Sequence, residues 1–419
     1  MDDALLTCPR CTSPLGDGAC ARCGLAYPEH DGVRCLLHDA DQACGRFAAR
    51  FDEVARESAA QLAAITDELA RDAIARARLQ AFAAGVRTSA ATIAALAPQA
   101  RAARDEAVPS VAGHASLFDH YEYVFRDWAW DDAENELACN RVIEAAGDPT
   151  RPRVLVLGAG ACRLAYDLHH RLDARATVAL DIQPLLLAIA SRMFAGDTLA
   201  LAEFTANHLA TPHAVALRSL RAPAPARPGL TLVCADATRP PVRNASFDLV
   251  VAPWFLDQLH CDVRDVLPAI HGALADGGRF VFHGPLLHPR GKPLARCFTE
   301  AELLARLPTA GFEPCARRCE ALPYLRAPEG SARTEPVLTI AAKKIAGADL
   351  PPWLQGIALP IPRTAKRPSS DPLAAAIAAL IDGERSALAI ATLLSRRGGL
   401  APHLALDATL AGLHTLVRQ

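Results

Sequence analysis

Residues 153–165 read Arg-Val-Leu-Val-Leu-Gly-Ala-Gly-Ala-Cys-Arg-Leu-Ala, and the predicted fold extends outward from this stretch. An apolar run of strand length meets a Gly-x-Gly turn at Gly158 and Gly160, and an amphipathic segment follows to residue 172. Because glycine has no Cβ, these two positions let the backbone turn sharply and approach a ligand closely. The pattern predicts the first strand, turn and helix of a doubly wound α/β domain. An ordinary tight strand-to-helix turn is the alternative.

The third glycine of a dinucleotide-binding fingerprint is missing, because its place falls on Arg163. A dinucleotide needs an open helix N-terminus for its pyrophosphate, whereas a nucleoside without phosphates does not. The turn therefore favours a nucleoside ligand over a nicotinamide dinucleotide.

Strand-like runs alternate with helical runs over the following two hundred residues. The runs lie at residues 153–157, 176–180, 230–235, 247–252, 278–283 and 336–342. This alternation predicts a parallel sheet with crossover helices, which binds ligands at the carboxyl ends of its strands. The Pro- and Arg-rich residues 220–228 are interpreted as an insertion loop before the third of these strands.

Two acidic residues follow strands at the predicted ligand-binding edge. Asp181 ends the second strand, where a carboxylate can accept both ribose hydroxyls of an adenosine. Asp236, followed by Ala237, ends the third strand and can accept from the adenine amino group. Either acid alone is more often a helix cap or a loop residue. The ordered set of glycine loop, acid and acid indicates S-adenosylmethionine as the cofactor.

Four cysteines near the N-terminus form the most specific local motif. Cys8 and Cys11 make one C-x-x-C knuckle, and Cys20 and Cys23 make a second. Two knuckles this close together are typical of a tetrahedral Zn²⁺ site, which would be structural because four thiolates leave no open position. Disulfides or redox dithiols are the alternative. Residues 24–37 resemble the small zinc-ribbon proteins that activate tRNA and release-factor methyltransferases.

Composition limits the class of protein. The chain has 419 residues, of which 51% are hydrophobic and 21% charged, which suffices for two to four domains with large cores. Its net charge of −2 disfavours nucleic acid as a partner of the whole chain. No apolar run is long enough to span a membrane, and the acidic N-terminus is not a signal peptide. We expect a reducing, cytoplasmic location, although the chain has 13 cysteines.

Four motifs between residues 117 and 344 resemble, in order, those of the carnosine N-methyltransferase family. They are Phe-Arg-Asp-Trp at 125–128, Gly-Ala-Gly with Arg-Leu-Ala at 158–165, Trp-Phe-Leu-Asp at 254–257 and Gly-Pro-Leu-Leu-His at 284–288. That family transfers a methyl group to an imidazole nitrogen of a histidine-containing dipeptide. The chain departs from that pattern in three places: Cys162 replaces a glycine, His283 replaces an asparagine, and the motif at 284–288 lacks the tyrosine of the family's Gly-Pro-Leu-Leu-Tyr-His. The family's tyrosine cluster before the last strand is also absent.

The resemblance implies roles for individual residues. Arg126 would help to bind the cofactor, Asp257 would hold the substrate imidazole with His288 near it, and Tyr324 would lie on the substrate side. The predicted catalytic residues are Asp257, His288 and Tyr324. The predicted cofactor-binding residues are Arg126, Gly158, Gly160, Arg163, Asp181, Asp236, Ala237 and Pro253.

Asp257 also has a chemical reason for its role. A carboxylate that accepts one imidazole N–H fixes the tautomer, leaves the other nitrogen free to attack, and stabilises the cation that forms. A cap on the helix expected near residue 259 is the alternative.

The chain divides into five predicted segments. They are a zinc ribbon at 1–38, a helical spacer at 39–115, a methyltransferase domain at 116–345, a Pro-rich linker at 346–370 and a winged-helix-like module at 371–419. The turn at 381–386 resembles peptide-recognition winged helices fused to peptide-modifying enzymes. The module would thus bind a peptide or mediate self-association, and simple packing is the alternative.

The sequence predicts an S-adenosylmethionine-dependent N-methyltransferase acting on an imidazole nitrogen of a histidine-containing small molecule or peptide. An RNA- or ribosome-associated methyltransferase is one alternative. However, residues 252–255 read Ala-Pro-Trp-Phe in place of the Asn/Asp-Pro-Pro-Tyr motif typical of base methylation. A non-catalytic, cofactor-binding regulatory protein is the other alternative.

Overall fold

A nine-stranded mixed sheet with helices on both faces forms the centre of the computed structural model. The structure describes residues 3–16, 18–37, 40–97, 117–205, 208–259, 261–328, 332–345, 359–398, 400 and 402–418. Its strands are β1 (Ala19–Cys20), β2 (Leu25–Ala26), β3 (Glu29–His30), β4 (Val33–Cys35), β5 (Arg153–Leu157), β6 (Ala176–Asp181), β7 (Thr198–Phe204), β8 (Val215–Arg221), β9 (Leu230–Cys234), β10 (Phe247–Pro253), β11 (Leu274–Gly284), β12 (Phe312–Tyr324) and β13 (Arg333–Lys344). Its α-helices are α1 (Ala40–Arg71), α2 (Arg76–Leu96), α3 (Leu117–Trp128), α4 (Ala133–Ala146), α5 (Arg163–Arg171), α6 (Pro184–Ala195), α7 (Thr211–Ala214), α8 (Val263–Ala273), α9 (Glu300–Thr309), α10 (Pro372–Leu380), α11 (Ala387–Gly398) and α12 (Pro402–Arg418).

The strand order of the central sheet is β12-β13-β11-β10-β5-β6-β9-β4-β3. Strands β9, β6, β5, β10 and β11 are parallel neighbours, while β13 runs antiparallel to β11 and to β12. This arrangement confirms the predicted α/β class with a central sheet. The order reverses between β5 and β10, and sheets of this kind bind ligands at such a switch point, here beside the carboxyl end of β5.

The six predicted strand-like runs correspond to β5, β6, β9, β10, β11 and β13. Of the predicted insertion loop at 220–228, residues 222–228 connect β8 to β9 as expected, whereas residues 220 and 221 belong to β8, which pairs with β7 as an antiparallel hairpin. Helix α2 packs on this hairpin, where the backbone N–H of Ala202 donates to Ser89 Oγ at 2.9 Å. The last part of the predicted spacer, residues 98–115, lies outside the described residues.

The cysteine-rich N-terminal segment extends the central sheet. Strand β4 pairs in parallel with β9, and the backbone N–H of Leu36 donates to the carbonyl of Cys234 at 2.9 Å. On the other side of the cysteines, the N–H of Thr7 donates to the carbonyl of Pro241 at 2.9 Å. The segment is thus tied to β9 and to the loop after it at two places.

The C-terminal helices α10, α11 and α12 form a small core of their own. As predicted, Asp371 caps the first helix by accepting from the N–H of Ala374 at 2.7 Å, and Ser386 caps the second. Ala269 of α8 packs against this core. Residues 346–358 of the predicted linker lie outside the described residues. Among the helices that are described, none combines the length and the apolar character needed to cross a membrane.

Candidate functional site

The turn after β5 is shaped by residues with left-handed backbone. Gly158 and Gly160 have φ of 67° and 57°. A Cβ on Gly158 would lie 2.7 Å from the ring of Phe255, whereas a Cβ on Gly160 would meet nothing within 4 Å. Cys162, which departs from the resembling family's glycine, also has a φ of 66°. The turn therefore packs tightly against the segment after β10 on one side and is open on the other.

Asp181 holds this turn in place from the end of β6. Its carboxylate accepts from the N–H of Gly160 at 2.7 Å and from the N–H of Gln183 at 2.8 Å. Burial raises the pKa of Asp181 to about 6, against the lowering effect of these backbone donors. A carboxylate has about four lone-pair positions, so it can still accept from a ligand hydroxyl.

The acid after β9 stands at the same edge of the sheet. Asp236 accepts from the N–H and the hydroxyl of Thr238 at 2.8 and 2.6 Å, and the neighbouring Ala237 is buried. Ile182, directly after Asp181, is an apolar residue that is 43% exposed. Ile182 is not among the residues predicted from the sequence, although an apolar residue directly after a predicted ligand-binding acid is a signal that could have found it.

An aromatic cluster lies beyond the end of β10, after Pro253. Trp254 stacks on Tyr324 with ring centroids 5.8 Å apart and meets His283 edge-on at 4.9 Å. The indole Nε1 of Trp254 is buried, and no described residue accepts a hydrogen bond from it. His283 shares a hydrogen bond of 2.8 Å with the Thr339 hydroxyl, and burial lowers its pKa to about 4, so its ring is neutral at pH 7.

Arg126 joins α3 to this cluster. Its guanidinium lies 5.5 Å from the ring centroid of Trp254 and 5.8 Å from that of Tyr324. It also forms an ion pair of 2.7 Å with Asp127. A second ion pair joins it to Glu134 at 3.7 Å, so Arg126 is held by cation–π contacts and by two carboxylates next to the predicted site.

Arg163 is held mainly by hydrogen bonds to polar groups of α3, α5 and the residues between α3 and α4. Its guanidinium bonds to the Asp127 carbonyl and to the Asp132 carboxylate, both at 2.8 Å, and to Asp167 at 3.0 Å. It also lies over the ring of Trp128 at 5.5 Å. These contacts fix the start of α5 to α3, and the predicted cofactor role of Arg163 remains a prediction.

Asp257 is the most deeply buried acid of the predicted acceptor site, with 1% of its surface exposed. Its Oδ2 accepts from Gln258 Nε2 at 2.8 Å. Its Oδ1 is buried and has no hydrogen-bond partner among the described residues. Burial raises the pKa of this carboxyl, and the hydrogen bond from Gln258 opposes that rise. An unsatisfied buried carboxylate oxygen is costly, so it marks a place for a ligand donor.

His288 lies beside the backbone of Asp257. Its Nδ1 is 3.3 Å from the Asp257 carbonyl and 3.1 Å from Lys292 Nζ, while its Nε2 is 2.8 Å from the Phe298 carbonyl. Both ring nitrogens are therefore engaged by the protein. Lys292 is not predictable from the sequence, since a lysine in a loop carries no signal of burial.

The four N-terminal cysteines converge as predicted. The sulfur atoms of Cys8, Cys11, Cys20 and Cys23 all lie within 4.8 Å of one another. The spacing and the all-thiolate donor set suit one tetrahedral metal ion. The hydroxyl of Tyr27 lies 3.1 Å from the Cys8 sulfur and adds a polar contact to the cluster.

A family comparison identifies the central part of the chain. Residues 155–282 match the family described as "Methyltransferase domain". This range contains the glycine turn, both acids and Asp257. It assigns the enzyme class, which is an S-adenosylmethionine-dependent methyltransferase. None of the curated proteins matches this chain in sequence.

Solved structures of methyltransferases resemble about half of the chain. A 1,6-didemethyltoxoflavin-N1-methyltransferase from Burkholderia thailandensis is 20% identical, with 52% of this chain and 80% of that chain covered and a TM-score of 0.34. A 16S rRNA (adenine(1408)-N(1))-methyltransferase from Catenulisporales acidiphilia is 18% identical, with 53% and 95% covered and a TM-score of 0.35. An S-adenosylmethionine-dependent methyltransferase from Aquifex aeolicus is 13% identical, with 52% and 100% covered and a TM-score of 0.33. Likenesses this low carry no argument about the methyl acceptor.

Proposed function

We propose that this protein transfers the methyl group of S-adenosylmethionine to an imidazole nitrogen of a histidine-containing small molecule or peptide. The observation that carries the proposal is the buried Oδ1 of Asp257, which lacks a partner among the described residues. An imidazole N–H is one donor that could satisfy it. The resemblance of residues 254–257 to the carnosine N-methyltransferase motif supports the same acceptor.

The residues at the carboxyl ends of β5, β6 and β9 fit the cofactor. The open side of the turn at Gly160 leaves room for a ligand against the backbone, and Asp181 retains lone pairs for ribose hydroxyls. Asp236 and Ala237 would contact the adenine, and Arg126 would pair with the carboxylate of the methionine part. S-adenosylmethionine supplies an electrophilic methyl group on a sulfonium.

Asp257 would orient the acceptor and take its proton. By accepting the N–H of one imidazole nitrogen, the carboxylate keeps a lone pair on the other nitrogen, which is the one that attacks. The positive charge that develops on the ring would be stabilised by the buried carboxylate. When the product leaves, Asp257 can accept the ring proton. Trp254 and Tyr324 would form apolar walls around the flat ring.

The cysteine cluster would hold one Zn²⁺ as a structural ion. Four sulfur ligands complete a tetrahedral shell, so no position is left for a substrate or a water. This assignment and the methyl-transfer proposal are independent of each other. Peptide binding or self-association through residues 371–419 also remains a prediction.

The decisive experiment measures methyl transfer to histidine, carnosine and histidine-containing peptides, with rRNA fragments as competing acceptors. We expect a methylated imidazole nitrogen, identified by fragmentation in mass spectrometry. Methylation of the RNA but of none of the imidazole compounds would show that the acceptor is a nucleic acid and would contradict the proposal. Cofactor binding without turnover on any of these acceptors would favour the regulatory alternative.

A further inference from the structure

Lys292 lies in the loop after β11 and is buried, with only 5% of its surface exposed. Lysine is almost never buried at this level unless its charge is paired. No carboxylate of the described residues lies within ion-pair distance of its Nζ. Its contacts are the Asp257 carbonyl at 3.2 Å, His288 Nδ1 at 3.1 Å and the ring of Phe298 at 5.4 Å. The ammonium is therefore buried without a paired charge, and its polar contacts are with Asp257 and His288 of the predicted acceptor site.

Two hydrogen-bond patterns are available to His288. In the first, Lys292 donates to Nδ1, and the Nε2–H donates to the Phe298 carbonyl at 2.8 Å. In the second, the Nδ1–H donates to the Asp257 carbonyl at 3.3 Å, and Nε2 accepts from the Phe298 N–H at 3.0 Å. An ammonium has donors and no lone pair, so it is compatible only with an unprotonated Nδ1. A charged Lys292 thus selects the first pattern.

The selected pattern fastens the turn that carries Asp257. The Asp257 carbonyl is held by Lys292, and Gln258 Nε2 links the Asp257 carboxylate at 2.8 Å to the Leu287 carbonyl at 3.2 Å. The loop after β11 is therefore joined to this turn through the backbone and through the side chain of the same residue. Such support fixes the direction of a carboxylate more firmly than its own rotamer preference does.

We infer that Lys292 is the positioning residue of the acceptor site: its ammonium sets the tautomer of His288 and holds the Asp257 turn so that Oδ1 faces the acceptor. The role in turnover rests on the proposed function, whereas the tautomer of His288 does not depend on it. Lys292 acts through Asp257 and touches no reacting atom.

Three variants test the inference: K292M removes the charge, K292R keeps it, and R290M removes an exposed cation from the same loop. We expect kcat for imidazole methylation to fall at least tenfold in K292M, to recover in part in K292R and to stay unchanged in R290M. The Kd for S-adenosylmethionine is expected to change less than twofold in all three. The acid limb of kcat/KM is expected to move to higher pH in K292M, because a nearby cation favours the ionised carboxylate.

A second readout needs no acceptor. In protein labelled with ¹⁵N-histidine, His288 is expected as the Nε2–H tautomer in the native chain and as the Nδ1–H tautomer in K292M. An Nδ1–H tautomer in the native chain, or the same tautomer in both, would overturn the inference. If the native chain methylates no imidazole compound but the tautomer switches, the proposed function fails while the role of Lys292 stands. If K292M does not fold, the inference is still tested by the native chain and by K292R, because both are expected to hold His288 as the Nε2–H tautomer and an Nδ1–H tautomer in either would overturn it.

Discussion

Asp257 combines deep burial with an unsatisfied oxygen, and these properties set its expected effect on turnover. Asp257→Asn keeps the shape of the side chain but removes the charge that stabilises a cationic ring. A hydrogen bond to a charged group is worth about 1.5–3 kcal/mol, so we expect kcat to fall roughly ten- to a hundredfold. The affinity for S-adenosylmethionine, measured by calorimetry, is expected to stay unchanged.

The matched control for this substitution is Asp248→Asn. Asp248 is the second residue of β10 and lies at the opposite end of this strand from Asp257. Its carboxylate accepts from the N–H of Arg153 at 2.8 Å. We expect normal kcat in this control. Near-normal turnover of an imidazole acceptor by Asp257→Asn would remove Asp257 from the mechanism.

The raised pKa of Asp181 leads us to expect that cofactor binding depends on pH. Burial raises its pKa to about 6, and a protonated carboxyl loses much of its capacity to accept from ribose hydroxyls. The affinity for S-adenosylmethionine is therefore expected to weaken as the pH falls through about 6. Calorimetry at pH 7.5 and at pH 5.5 checks this direction.

Asp181→Asn serves as the comparison, because an amide does not titrate in this range. We expect its Kd to be raised roughly tenfold to a hundredfold at pH 7.5, the loss of one charged hydrogen bond. Its Kd is also expected to depend less on pH than that of the native chain. Equal pH dependence in the two proteins would show that another group controls binding.

At the scale of elements, the cysteine cluster is connected to the strand that precedes Asp236. Residues 33–35 pair with 232–234, and the N–H of Arg243 donates to the carbonyl of Leu5 at 2.9 Å. Removal of the metal by a chelator, or Cys8→Ser, is expected to speed hydrogen exchange of the amides at 232–243. It is also expected to weaken cofactor affinity, because Asp236 lies within the loosened loop.

Cys297→Ser is the control for this prediction, since Cys297 is a partly exposed thiol outside the cluster. We expect exchange in this control to match that of the native chain. Unchanged exchange at 232–243 after complete metal removal would separate the cluster from the cofactor site. Metal content is measured on the same samples.

The helices and strands that could be predicted are those whose own residues show the hydrophobic pattern of a helix or a strand. Strand β5 was predictable because four apolar residues of strand length precede a glycine. Strand β10 was predictable from the apolar run at 247–252 alone, without knowledge of the strands it pairs with. Strand β4 has three residues, too few for a period, and it forms because it pairs with β9 far along the chain. The hairpin of β7 and β8 was also missed, because its stability depends on packing against α2.

In the candidate site, too, some residues were predictable from the local sequence and others depend on contacts between distant parts of the chain. Asp181 and Asp257 follow strands or motifs and were selected from the sequence. The burial of Lys292 and the engagement of both nitrogens of His288 depend on two loops, those after β10 and β11, that meet only in the folded chain. The cysteine cluster was predictable because its ligand spacing is itself the chemical requirement.

At the scale of the whole molecule, His414 connects the C-terminal helices to the central domain. It is 7% exposed, and its Nδ1 lies 3.6 Å from an oxygen of Asp265 on α8. Burial, with a smaller contribution from Arg239, lowers its pKa to about 4. At neutral pH the packed ring is therefore neutral.

This depressed pKa predicts that acid weakens the folded state. The unfolded chain takes up a proton on this ring below a pKa of about 6.5, whereas the folded chain takes it up only near 4, so stability is lost as the pH falls through this window. By pH 5 the loss amounts to about 2 kcal/mol. We expect His414→Gln to lose less stability than the native chain between pH 7.5 and pH 5 in urea denaturation.

His213→Gln is the control, because His213 is exposed and its substitution is expected to leave the pH dependence unchanged. The competing arrangement is an ion pair between a protonated His414 and Asp265. Protonation would then stabilise the docked helices, and the native chain would lose less stability than His414→Gln at pH 5. The separation of 3.6 Å is longer than a hydrogen bond, and the ring is almost closed to water, so the neutral form is expected to prevail.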